Sequence, residues 1–139
     1  MKKLAMAALV FLAHTGITHS ADTPPVEVWM SPYCGCCGGW VEHLRSEGLE
    51  VIEHKTEDMA SVKESAGVPE QMQSCHTAKV AGYVVEGHVP AAAIRKLLAE
   101  RPGISGIAVP GMPMNSPGMG SMDGTLKTLT LDGAVFSED

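Results

Sequence analysis

Apolar positions recur at two different periods along this chain, and glycines mark where one period gives way to the next. In VEVWM (Val26–Met30), Val26, Val28 and Met30 fall on one side at period two, which predicts a strand with one buried face. From Cys37 to Glu47 the spacing becomes helical, with Trp40, Val41 and Leu44 on one face and Gly48 where a helix end favours a left-handed residue. LEVIEH (Leu49–His54) predicts a second strand. Thr56 to Ala66 predicts a second helix, with Met59, Val62 and Ala66 inward and Gly67 ending it. After a turn over Pro69 to Ser74, TAKVAGYVVEGHV predicts two short strands turning near Gly82. PAAAIRKLLAER predicts a helix opened by Pro90, with Ile94, Leu97 and Leu98 on its buried face. The order strand-helix-strand-helix-strand-strand-helix makes this an α/β chain.

The N-terminal pattern is of another kind. Lys2 and Lys3 precede an apolar run from Leu4 to Ala13, and small residues follow near Ser20 and Ala21, which reads residues 1–21 as a secretory signal peptide. The run is broken by His14, Thr15 and Gly16, well short of the roughly 20 apolar residues that a permanent span needs. Residues 22–139 then form one exported, periplasmic domain of a length suited to one core, without stable membrane insertion. Removing Lys2 and Lys3 leaves 8 of the 10 basic residues against 16 acidic ones, a formal charge of −8. Such a surface repels phosphate backbones, so nucleic acid is excluded as a partner.

The chemistry concentrates in SPYCGCCGGW, where Cys34, Cys36 and Cys37 sit at the junction between the first strand and the first helix. The fourth cysteine, Cys75, stands in SCHTAKV, just before the third strand. This order of elements, with cysteines after the first strand, resembles the thioredoxin fold. That resemblance implies that the loop of Cys75, His76 and Thr77 lies beside the cysteine loop, at the place where the fold usually carries a cis-proline. No proline stands there in this chain.

Thiols exported to an oxidising compartment either pair or are held by a metal. Cys34 and Cys37 have the Cys-x-x-Cys spacing of a thiol-disulfide oxidoreductase or isomerase, and a helix N-terminus favours their thiolates. Structural disulfides are a second reading, for which Cys34 with Cys37 and Cys36 with Cys75 is the one comfortable pairing. The third is a site of soft thiolates, which select monovalent copper, zinc or iron-sulfur clusters. Zinc is usually held by Cys-x2-Cys knuckles, whereas sulfurs spaced Cys-x-Cys-Cys bridge more readily than they wrap one ion. That spacing favours a small cluster of several monovalent copper ions on Cys34, Cys36, Cys37 and Cys75.

A second soft-donor pattern lies in VPGMPMNSPGMGSM, whose prolines and glycines forbid a regular helix or central strand. Met112, Met114, Met119 and Met122 are therefore either thioether ligands for monovalent copper or adaptable caps on the core. Among the histidines of residues 22–139, His76 adjoins Cys75 and is the best further ligand. His88 reads as a brace for the turn before the last helix, and His43 and His54 read as surface or edge residues.

YCGCCGGWVEHLRSEG, SCHTAKVAGYVVEGHVPAAAIRKLLAERP and GIAVPGMPMNSPGM together resemble a bacterial family long described as of unknown function, whose exported members include the CopG-type copper resistance proteins. The resemblance spans nearly all of residues 22–139, and it implies a Met-rich loop and a final hairpin about LDGAVF. It implies a thioredoxin-like fold in which Cys34, Cys36, Cys37 and Cys75 bridge several copper ions. It also implies a periplasmic role in copper tolerance that interconverts monovalent and divalent copper. Exchange with a copper exporter or another periplasmic copper carrier is the expected partnership.

Overall fold

The computed structural model of the chain describes residues 23–139; the expected signal peptide lies outside the described residues. Strand β1 (Val26–Met30) leads directly into helix α1 (Gly35–Ser46), strand β2 (Val51–Lys55) and helix α2 (Met59–Ser65). A short 3-10 turn (Glu70–Met72) precedes the hairpin of β3 (Thr77–Val80) and β4 (Tyr83–Glu86), after which α3 (Ala91–Glu100) and β5 (Gly106–Ala108) follow. A C-terminal hairpin of β6 (Lys127–Thr130) and β7 (Val135–Glu138) completes a mixed α/β domain of three helices and one seven-stranded sheet.

The sheet runs in the order β2-β1-β3-β4-β5-β6-β7. β1 pairs with β2 in parallel, as its helical crossover requires, and with β3 in antiparallel fashion. Because Trp29 is registered against Thr77, the end of β1 that carries the cysteines lies beside the start of the strand that follows Cys75. Forty-one residues of chain separation between Cys34 and Cys75 are thus closed by one strand pairing.

The alternation in β1 is realised as written: Val26, Val28 and Met30 are fully buried. They pack against Cys37, Trp40, Val41 and Leu44 of α1 and against Ala93, Ile94 and Leu97 of α3. Trp40 anchors the cluster, its indole N–H donating to the Val89 carbonyl at 2.8 Å. A smaller cluster of Val68, Met72, Val84, Ala108 and Leu131 forms apart from it.

Three expectations need correction. In α2 the buried residue is Lys63 rather than Val62 or Met59, which are only partly covered. His43 is not an ordinary surface residue, because its Nε2 accepts the Ala91 N–H at 3.1 Å and so satisfies the otherwise uncapped start of α3. The sheet also contains β5, which the apolar pattern did not announce.

Candidate metal centre

Helix α1 begins within the cysteine motif. Cys34 is its N-cap residue, in extended conformation and without a side-chain cap, while Cys36 and Cys37 lie in the first turn. The positive end of the helix dipole, equivalent to about half an elementary charge before screening, therefore sits among the sulfurs. Gly38 and Gly39 follow inside the helix, where each glycine costs about 1 kcal/mol relative to alanine. For Gly39 the reason is close approach: a Cβ there would stand 3.1 Å from Gly118 Cα and 3.2 Å from Gly118 O.

Cys34 and Cys37 are joined by a disulfide. Cys36 and Cys75 are free, so the alternative of two structural disulfides is not realised, although its first bond is. The Cys36 sulfur lies 3.5 Å from that of Cys34, and the sulfurs of Cys34, Cys36, Cys37 and Cys75 all fall within 4.8 Å of one another. Cys37 is fully buried, and the other three are half-buried, which leaves the group open on one side. Burial, and then the charge of Cys36, push the Cys75 thiol up to about 11.

Two imidazoles crowd Cys75 from the protein side. His88 presents Nε2 to the Cys75 sulfur at 3.1 Å, and its Nδ1 lies 2.7 Å from the Pro117 carbonyl. His76 presents Nδ1 to the same sulfur at 3.3 Å and packs its ring on Trp40, with centroids 4.3 Å apart. Both histidines are fully buried. Burial lowers the pKa of His76 to about 3, and burial lowers that of His88 as well. His88 was read as a turn brace from the sequence; it does hold the Pro117 carbonyl, but its other nitrogen faces the sulfur.

Behind Cys75 stands a buried polar network. Glu86 accepts from Lys63 Nζ at 2.5 Å, from the Thr77 hydroxyl at 2.6 Å and from the Ser74 N–H at 2.7 Å. The residue before Cys75 is thereby fixed to β4 through a charged acceptor. The methionine loop is tied to the same place. Ser74 Oγ donates to the Gly111 carbonyl, Pro117 is held by His88, and Gly118 lies on the α1 backbone. Within the loop Met112, Met114 and Met122 are exposed and Met119 is half-buried, so the first three do not cap the core.

Among the described residues no helix is long and apolar enough to cross a membrane. The family model described as "Protein of unknown function, DUF411" matches residues 72–119. No curated protein matches the chain. Two solved structures, "Copper resistance protein copG- Form 1" and "Form 2", superpose with TM-scores of 0.74 at 44% identity. They cover 85% of this chain, which in turn covers 98% and 99% of theirs. Identity at that level over nearly the full length of both partners shows that this chain belongs to the family of CopG-type copper resistance proteins.

Proposed function

We propose that this chain is a periplasmic copper-handling protein of thioredoxin-like fold that holds several monovalent copper ions on Cys34, Cys36, Cys37 and Cys75. The observation that carries the reading is the convergence of four sulfurs within 4.8 Å from two distant segments, at a helix N-terminus. Thiolates are soft donors that favour monovalent copper. Three of them on four consecutive positions are better placed to bridge neighbouring ions than to surround one. The positive helix end compensates part of the negative charge that such a sulfur set accumulates.

Loading begins with the Cys34–Cys37 bond. A dithiol reductant supplies the two electrons and two protons that open it, and is itself left as a disulfide. Each thiol that then binds copper gives up its proton, so uptake acidifies the medium. Copper held by these thiolates would change between the monovalent and divalent states by exchanging one electron per ion with an external donor or acceptor. The product passes to an export system or another copper carrier.

The disulfide itself favours one second reading. Cys34 and Cys37 could serve as a thiol-disulfide oxidoreductase pair, with copper playing no part. Anaerobic titration of fully reduced protein with monovalent copper separates the two. The copper reading expects more than one ion per chain and a lower number in Cys75→Ser. One tightly held ion, unaffected by excess copper and by Cys75→Ser, would refute it.

A further inference from the structure

We propose that the cavity between α2 and the outer face of β1 and β3 is a binding site for a small aromatic monocarboxylate. Successive side chains of a strand point to opposite faces, so while Val28 and Met30 meet α1 and α3, Trp29 stands on the side of the sheet opposite α1. There α2 covers the sheet incompletely. Its one buried side chain, Lys63, reaches Thr77 at 3.0 Å and Glu86 at 2.5 Å and so holds the helix over β3 and β4. Ser61, Val62 and Ser65 are left bordering Trp29 and Lys79, and these five residues line a cavity of about 290 Å³. Small-molecule clefts begin at about 300 Å³, which limits the occupant to a single- or double-ring ligand.

The lining combines a flat apolar wall with an unpaired cation. Trp29 is half-buried, and His54 from β2 stacks on its ring with centroids 4.7 Å apart. Lys79 comes from β3, on the other flank of β1, and its Nζ lies 5.7 Å from the Trp29 ring centroid. That contact is close to the outer limit of about 6 Å for a cation over a ring, so it holds the ammonium weakly. Register puts Glu27 directly across from Lys79, yet the Glu27 carboxylate takes His54 Nε2 at 3.0 Å. Among the described residues Lys79 has no ion-pair partner. Of the two serine hydroxyls, Ser61 Oγ already donates to Asp58 at 2.8 Å, and Ser65 Oγ is the one left to donate.

These features select the ligand. An aromatic ring gains stacked or edge-on contact with the indole, and a carboxylate gains a charge-assisted hydrogen bond from an ammonium that has no other anion. A phosphate or a dicarboxylate fits less well, because a single cation faces it while Asp58 holds a lining serine and Glu27 lies across from Lys79. The formal charge of −6 on the chain adds to that penalty. A neutral ring forgoes the ammonium. The site shares no residue with the four-sulfur group, so it stands or falls independently of the copper reading.

Proton–nitrogen correlation spectra of the metal-free, disulfide-closed protein, titrated with benzoate, test the proposal. Saturable shifts should appear at the Trp29 indole N–H and at the Ser61, Ser65 and Lys79 amides, with a dissociation constant of about a millimolar, as expected for so small a ligand. Benzamide, the neutral analogue, and inorganic phosphate should each bind about threefold more weakly or worse, and Lys79→Met should lose the same factor for benzoate. Ser65→Phe fills the cavity and should abolish the shifts. Ser65 and Lys79 are both exposed, so the two variants leave the core undisturbed. Shifts that do not saturate, a Trp29 indole that does not move, equal affinity for benzamide or phosphate, or undiminished benzoate binding by Lys79→Met or Ser65→Phe would overturn the proposal.

Discussion

Replacing Lys63 by methionine probes how the Cys75 strand is held. Methionine preserves most of the aliphatic stem but removes the ammonium that lies 2.5 Å from Glu86 and 3.0 Å from the Thr77 hydroxyl. Glu86 would then be fully buried with only the Thr77 hydroxyl and the Ser74 N–H as donors. Breaking a buried ion pair from one side costs roughly 3–5 kcal/mol, because the remaining charge is uncompensated. Surface pairs such as Lys96–Glu100 are worth far less, at about 0–1 kcal/mol. Denaturant unfolding of the metal-free, disulfide-closed protein should show a lower midpoint at unchanged slope, and a loss in the larger range. Adding Glu86→Gln should recover part of that loss, since a neutral amide still accepts from Ser74. A Lys63→Met loss below about 1 kcal/mol, or a double variant as unstable as the sum of the two single changes, would refute the reasoning.

Gly118→Ala should cost about 2 kcal/mol or more and loosen the methionine loop, because φ is +85° and the new Cβ would meet Trp40 N at 2.5 Å. Gly38→Ala, with no atom within 4 Å of its Cβ, should instead stabilise the helix by about 0.5–1 kcal/mol; thermal unfolding compares the two. Replacing Met112, Met114, Met119 and Met122 together by leucine should preserve the fold and the copper stoichiometry while slowing copper transfer to a chelator or carrier. Wild-type transfer kinetics would reject a role for the thioethers. Acid should destabilise the metal-free protein through His76, whose pKa falls from 6.5 to about 3 on burial. The unfolded chain takes up a proton below pH 6.5 that the folded chain refuses, so stability is full above that pH and declines towards pH 3. At about 1.4 kcal/mol per pH unit the ceiling is roughly 5 kcal/mol, and His76→Gln should have a flatter profile than wild type; parallel profiles would contradict this.

Local periodicity carried β1 and α1. The alternation of Val26, Val28 and Met30 and the spacing of Trp40, Val41 and Leu44 each follow from one face meeting the core, and both are realised. The cysteine loop was legible for the same reason, since it lies between two well-patterned elements. Pairings across the sheet were not. Lys63 reads as solvated unless Glu86, 23 positions away, is known to face it. His43 reads as surface unless the start of α3 is known to sit above it. His88 shows no ligand spacing to Cys75, because the β3–β4 hairpin, not a helix, brings the two together. β5 is three residues long, too short for any period to register. The Gly-His-Val-Pro turn was the one available signal, since an imidazole just before a helix stands at a strand end, where sites are commonly built.

Copper X-ray absorption on the reduced protein loaded anaerobically with monovalent copper tests the central claim most directly. Four converging thiolates bridging several ions predict a first shell of sulfur together with strong copper–copper scattering at short range, and Cys75→Ser should diminish the latter. A first shell of sulfur around one isolated ion, with no copper–copper scattering at saturating copper, would contradict the account.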